Sequence, residues 1–184
     1  MNTDPWHEFE QLVSCDARWH ADSEPLPWPP SAALLQVLAE RNAATLATIA
    51  ALEERRADNS DDDNPVVQEL ARLDAKLTAL VDIVNRLVLP DNQLPPRQPI
   101  RFNALGAVVP AALAPVDGGC LLRLRFDVCR SVPLELPGFV ARRFDDGHVF
   151  LAFQTLGESV AASLERLVFR QHRRKVAVAR QSAS

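Results

Sequence analysis

Four histidines and three cysteines are the side chains in this sequence best suited to hold a metal or act as nucleophiles. Their spacing favours neither role. His7, His20, His148 and His172 are scattered, and none pairs with another His or Cys at metal-ligand spacing, so no metal site is expected. Cys15, Cys120 and Cys129 are odd in number and form no CxxC pair. That points away from a disulfide framework or zinc knuckle and toward reduced, partly buried thiols. There is no GxSxG elbow, no glycine-rich phosphate loop and no local signature around a catalytic cysteine. No residue is assigned a catalytic role, and the chain reads as a protein other than an enzyme.

The basic run Arg170, His172, Arg173, Arg174 and Lys175 is the remaining candidate for chemistry, as a contact for nucleic acid. It lacks interleaved aromatics on a strand and the whole chain carries a net charge of -4, so a solvated helix end is the better reading. The charge is unevenly divided. Residues 1–96 hold 7 of the 20 basic and 17 of the 24 acidic residues, about -10, while the remainder holds 13 against 7, about +6. Opposite halves of this kind can attract one another or leave the basic half free for an anionic partner. No apolar run approaches the roughly 20 residues that span a bilayer, and the first ten residues have acidic members but no basic cluster ahead of an apolar stretch. A cytoplasmic protein without membrane insertion is expected.

All six glycines lie after residue 105, and prolines cluster at 25–30 and 90–99 with only Pro65 between, so a helical front section is bracketed from a turn-rich back. Ahead of the first cluster, residues 5–13 place Trp6, Phe9, Leu12 and Val13 at helical spacing, and Trp19 and Trp28 follow in an arm read as irregular. These tryptophans are expected to dock on the chain's own domain or a neighbouring subunit.

The first long helix is predicted from Ser31 to about Ala57, with Leu35, Leu38, Asn42, Thr45, Ile49 and Leu52 at alternating three and four spacing. Residues 58–64, with three consecutive aspartates, form a predicted turn in which Asn64 caps the next helix and Pro65 occupies its first turn. The second helix carries Val66, Leu70, Leu73, Leu77, Leu80, Val84 and Leu87 in an unbroken heptad pattern and stops at Pro90. With Leu70, Leu77 and Val84 at position a, Val67, Val81 and Val88 fall at e and Ile83 at g, beyond what a two-helix contact covers. More than two helices should therefore meet. A homo-oligomer is expected, a tetramer in preference to a dimer, with Asn42 setting register at an a position.

From residue 99 the apolar period changes to two. Cys120, Leu122, Leu124, Phe126 and Val128 alternate with Leu121, Arg123, Arg125 and Asp127, a half-buried strand with a basic outer face. Residues 132–144 read as a second strand, 148–153 as its hairpin partner across the Asp145-Asp146-Gly147 turn, and 100–109 as further strand. Several short antiparallel strands favour a small closed barrel. After Gly157 a helix presents Val160, Leu164, Leu167 and Val168 as its apolar side and should cover the barrel.

Residues 100–109 with their lone glycine, the leucine-rich strand, the Leu-Pro-Gly-Phe-Val stretch at 136–140, the strand at 149–153 and the closing helix together resemble the PilZ domain family over residues 97–176. The resemblance implies a small β-barrel of bacterial cyclic di-GMP signalling. Its receptors hold the dinucleotide with an RxxxR motif and a (D/N)xSxxG motif, because arginines pair bidentately with phosphate and glycine admits a close approach. Arg97 and Arg101 have the first spacing, and Gly106 matches the motif glycine, but Asn103 then stands where serine is expected and Arg101 where Asp or Asn is expected. The chain is similar to self-associating xanthomonad PilZ proteins with added heptad helices, and a degenerate motif implies no cyclic di-GMP cofactor.

The fold class read from the sequence is α+β, with long heptad coiled-coil helices followed by a small antiparallel β-barrel and a C-terminal helix. The expected divisions are an N-terminal arm at 1–30, oligomerisation helices at 31–89, barrel and closing helix at 97–176 and a tail at 177–184. The implied function is a scaffold or adaptor that engages a protein partner, the alternative being an atypical cyclic di-GMP receptor.

Overall fold

The computed structural model describes residues 4–55 and 65–181, so the predicted turn at 58–64 and its Asn64 cap lie outside the described residues. Six strands close into an antiparallel barrel: β1 Cys15–Leu26, β2 Arg97–Phe102, β3 Gly106–Pro110, β4 Gly119–Arg125, β5 Leu134–Arg143 and β6 His148–Phe153. Their order around the barrel is β1-β2-β3-β6-β5-β4, with β4 pairing back onto β1, so no strand edge is left open. Among the described residues four α-helices accompany them: α1 Pro5–Gln11, α2 Ala32–Arg55, α3 Pro65–Val88 and α4 Glu158–Gln181. The α+β class, the barrel and the closing helix are as the sequence led one to expect.

The arm is where the structure differs. Residues 15–26 are a full barrel strand, pairing with β2 through Cys15↔Phe102 and with β4 through Ala21↔Leu124. Cys15, Trp19 and Ala21 are buried while Asp16, Arg18 and Glu24 are exposed. This is the period of two that a half-buried strand requires. The domain boundary drawn at 97 is therefore corrected, because the barrel cannot close without a strand from the first 30 residues. The closing helix also runs past 176, to Gln181.

The barrel interior is filled by Trp19, Ile100, Phe102, Val109, Cys120, Leu122, Leu124, Leu134, Leu136, Val149 and Leu151, each under 9% exposed. Val160, Leu164, Leu167 and Val168 of α4 belong to the same apolar cluster. The basic outer face of β4 is neutralised in place, since Arg123 meets Asp22, Glu24 and Glu135 at 3.3, 2.7 and 3.4 Å and Arg125 meets Asp22 at 3.6 Å.

The two long helices behave differently. α2 packs on α4 and β5, with Leu38, Asn42, Thr45, Leu46, Ile49 and Glu53 all buried. Glu53 is 2% exposed and held by Arg170 at 3.1 Å and Arg174 at 2.9 Å, so the basic run of α4 faces inward at these positions. Lys175 likewise donates to the Asp16 carbonyl at 2.8 Å. α3 has a single buried residue, Asn85, whose Oδ1 accepts from the Ser131 hydroxyl and backbone N–H. Beyond the helix end, Arg130 pairs with Asp91 at 2.7 Å. α3 is thus fastened near its C-terminal end.

All three cysteines are free and buried. Burial pushes the Cys15 and Cys120 thiols up from the ordinary 9.0 to about 11, and raises Cys129 as well. Between about pH 9 and 11 the unfolded chain releases thiol protons that the fold retains, so stability should fall as pH rises through that window. The same burial predicts that a maleimide at neutral pH labels the native chain far more slowly than the urea-unfolded chain, read by mass shift.

Candidate functional site

Two surfaces carry the residues singled out in the sequence. The first is the outer face of the barrel around the degenerate ligand motif. Arg97 and Arg101 lie four residues apart on the extended β2, which separates their Cα atoms by roughly 13 Å, and they do not converge. Arg97 donates to the Arg18 carbonyl at 3.1 Å and to Asp127 at 2.5 Å. Arg101 instead lies against α1, its guanidinium 5.0 Å from the Phe9 ring centroid and 5.9 Å from that of Trp6.

Asn103 is 2% exposed and ties α1 to the β2–β3 turn. Its Nδ2 donates to the Phe9 carbonyl at 3.0 Å, its Oδ1 accepts from the Leu105 N–H at 2.9 Å, and its own N–H donates to the Gly106 carbonyl at 3.0 Å. Gly106 is required by packing: a Cβ there would run into the Leu151 carbonyl and the Phe150 ring. Arg101, Asn103 and Gly106 are therefore gathered beneath α1, while Arg97 stands apart.

The registers align Arg101 with Val108, Val108 with Phe150, and Phe150 with Arg142, one row across four strands. An arginine stands at each end of an apolar floor. Trp6 covers that floor, its ring centroid 5.2 Å from Phe150, 4.9 Å from Phe144 and 5.5 Å from Phe9. The Arg142 guanidinium is 5.5 Å from the Trp6 ring and 5.3 Å from Phe144, so Trp6 receives a cation from both sides. The sequence gives Trp6 and Phe9 a helix and leaves Trp6 a choice between the chain's own domain and a neighbouring subunit. Trp19 is in the barrel core and Trp28 packs against Phe139 in a tilted pair with ring centroids 5.1 Å apart, so all three tryptophans dock on the chain's own barrel.

The second surface is α3. Val66, Leu70, Leu73, Leu77, Leu80, Val84 and Leu87 are between 45% and 76% exposed, and Ile83 and Val88 beside them are 54% and 64%. No described part of the chain covers this face from Leu70 to Val88. Val67 and Val81 are half-buried on the other side, as are Asp74 and Thr78. Val81, Asp74 and Thr78 line a groove shared with Leu52 and Val128.

The first-helix seam is corrected on the same ground. Leu38, Asn42 and Ile49 are at most 1% exposed, and Leu35 and Leu52 are half-buried, so these residues serve the subunit's own packing. Asn42 is not a register device on an open seam: its Nδ2 donates to the Glu135 carbonyl at 2.6 Å and its Oδ1 accepts from the Glu135 N–H at 2.8 Å. An apolar stripe at helical spacing specifies burial and leaves the partner unspecified. In α2 the partner is the barrel.

Among the described residues no group of three or more His, Cys, Asp or Glu could hold a metal ion, and no helix is long and apolar enough to cross a membrane.

No curated protein matches the chain. A solved structure of a pathogenic protein from Xanthomonas campestris, described as a new tetrameric PilZ domain self-assembled via an unusual helical bundle, is similar at 25% identity and a TM-score of 0.67. The likeness covers 94% of this chain and 95% of that one. The family described as an atypical PilZ domain, cyclic di-GMP receptor, matches residues 46–181. With the barrel, its closing helix and this match over most of its length, the chain belongs to the atypical PilZ domain family.

Proposed function

We propose that this protein is an interaction module of bacterial cyclic di-GMP-related signalling, in motility, pilus function or virulence. It assembles through α3 as a coiled coil and acts as a scaffold or adaptor without itself binding the nucleotide. The observation that carries this reading is the uncovered heptad face of α3. Covering those side chains contributes about 1–2 kcal/mol each, on the order of 10 kcal/mol per helix, which is comparable with the cost of association. A two-stranded seam leaves Ile83 and Val88 wet, which favours four helices and a tetramer over a dimer. The similar Xanthomonas protein, tetrameric through a helical bundle, supports the same assembly. Sedimentation at micromolar concentration is expected to give four times the 20.3 kDa chain mass, and a strictly monomeric result refutes the assembly.

The reading against nucleotide binding rests on α1. Arg101 and Asn103 already engage Trp6 and Phe9, and Arg97 is committed to Asp127. The opposite reading, an atypical receptor, draws on the family's description as a cyclic di-GMP receptor and on Arg101 and Arg142, which meet no carboxylate among the described residues. Calorimetric titration with cyclic di-GMP separates the two. Silence up to ~100 µM is expected, and micromolar binding abolished in Arg97→Ala or Arg101→Ala would establish the receptor instead.

A further inference from the structure

The floor formed by Val108 and Phe150, flanked by Arg101 and Arg142, has the attributes of a recognition surface, and the chain's own α1 occupies it. We propose that this platform is a docking site for a short acidic helix of a partner protein that presents Trp and Phe three residues apart, and that α1 is its tethered stand-in. The proposal deepens the adaptor reading and rests on it, by naming the surface and the chemistry of the partner.

The occupant shows what fits. α1 offers Trp6 and Phe9 on one face, one turn apart, and the carbonyl of Phe9 to the Nδ2 of Asn103. Its neighbourhood is acidic, with Asp4, Glu8 and Glu10 and no Lys or Arg up to residue 17, opposite a platform whose charged members are arginines. Aromatic anchors in a pocket with cationic walls are the usual carriers of binding energy at such surfaces.

The fit is incomplete in a specific way. α1 supplies rings to Arg101 and Arg142 but no carboxylate, and the Nε–H of Arg101 is buried without an acceptor. A guanidinium gains most from a carboxylate in bidentate geometry. A partner helix that repeats the Trp and Phe anchors and adds a carboxylate within reach of either arginine would hold the platform more tightly than α1 does. α1 itself has only 7 residues, too few to be stable as a free helix, and it joins β1 through residues 12–14, where Leu12 and Val13 are exposed. Its advantage is the tether, which raises its local concentration, and a tethered segment of this kind yields to a stronger competitor.

The test uses a fluorescent peptide with the sequence of residues 2–13, the full-length chain, and the full-length double variant Trp6→Ala with Phe9→Ala, which vacates the platform. Anisotropy is expected to show binding to the double variant with a Kd on the order of 10–100 µM and at least about tenfold weaker binding to the wild type. The peptide carrying Trp6→Ala should not bind, and adding Arg142→Ala to the double variant should weaken binding several-fold. If the double variant does not fold by circular dichroism, Trp6→Leu, which loosens α1 while keeping the Phe9 contact, replaces it, with peptide binding still expected to exceed that of the wild type but by a smaller factor. A folded vacated platform that leaves the peptide unbound to ~1 mM overturns the proposal, as does a vacated platform that takes cyclic di-GMP in preference to the peptide. Mass measured on the same samples keeps the two readings apart: a tetramer that ignores the peptide refutes only the docking site, and a monomer that binds it refutes only the assembly.

Discussion

Leu73→Asp combined with Leu80→Asp is expected to convert the proposed α3 assembly to monomers of 20.3 kDa without unfolding the barrel. The two leucines are 48% and 56% exposed in the single chain, one heptad apart at d positions, and neither belongs to the barrel core. In the free subunit the aspartates would sit in water at little cost. In a bundle, two carboxylates per helix would enter an apolar seam beside their copies from other chains, and each uncompensated charge costs several kcal/mol. The shift in association should exceed a hundredfold, read as a change in sedimentation coefficient with an unchanged far-UV spectrum apart from α3 itself. A variant that keeps the wild-type mass would show that α3 is not the seam. Loss of the barrel's own unfolding transition would show that α3 is integral to the domain.

Asn42→Leu should do the reverse, lowering stability while leaving the mass unchanged. Asn42 is fully buried, and its amide satisfies both the N–H and the carbonyl of Glu135 on β5. Leucine has the same branching, with two methyls in place of the amide oxygen and nitrogen, but leaves both backbone groups without a partner. At about 1–3 kcal/mol per orphaned group, the expected loss is roughly 2–6 kcal/mol. In a chain of this size that corresponds to a fall in Tm on the order of 10 °C, read by calorimetry. A variant that instead changed oligomeric mass at constant Tm would restore the register role that heptad counting gives this asparagine. Together the two substitutions test separate duties for the long helices: α2 braces the barrel, and α3, on the proposed reading, offers its face to other copies.

What was legible in the sequence follows the reach of each signal. The 3.5-residue period of α3, the two-residue period of β4 and the turn that sets off the apolar run of β6 are local, so all three elements could be drawn from a dozen consecutive residues. β1 carries an equally regular alternation, Cys15, Ala17, Trp19, Ala21 against Asp16, Arg18, His20, Asp22, but its inward residues are mostly small and a proline cluster follows. The alternation therefore passes for an irregular arm. The strand is defined by partners some 80 to 100 residues away, Phe102 and Leu124 among them, and no local window contains those. The candidate site was legible in the same uneven way. Arg97 and Arg101 could be picked out by spacing, but extended backbone carries them apart. Arg142, which shares Trp6 with Arg101, belongs to no motif; the receptor alternative draws on it as a further arginine, but its place beside Trp6 is set by strand register.

By itself, the sequence determined the element types apart from β1, the family, the heptad face of α3 and the loss of the ligand motif's acidic and serine positions, because each of these is a pattern of residue types along the chain. Tertiary structure alone decided which apolar stripe faces the barrel and which faces outward, that the first 30 residues close the barrel, and that α1 covers the platform between Arg101 and Arg142. The physical reason is common to all three. Periodicity fixes which side of an element avoids water, but the surface that shields it is chosen by long-range pairing and packing, and these depend on residues far away in the chain.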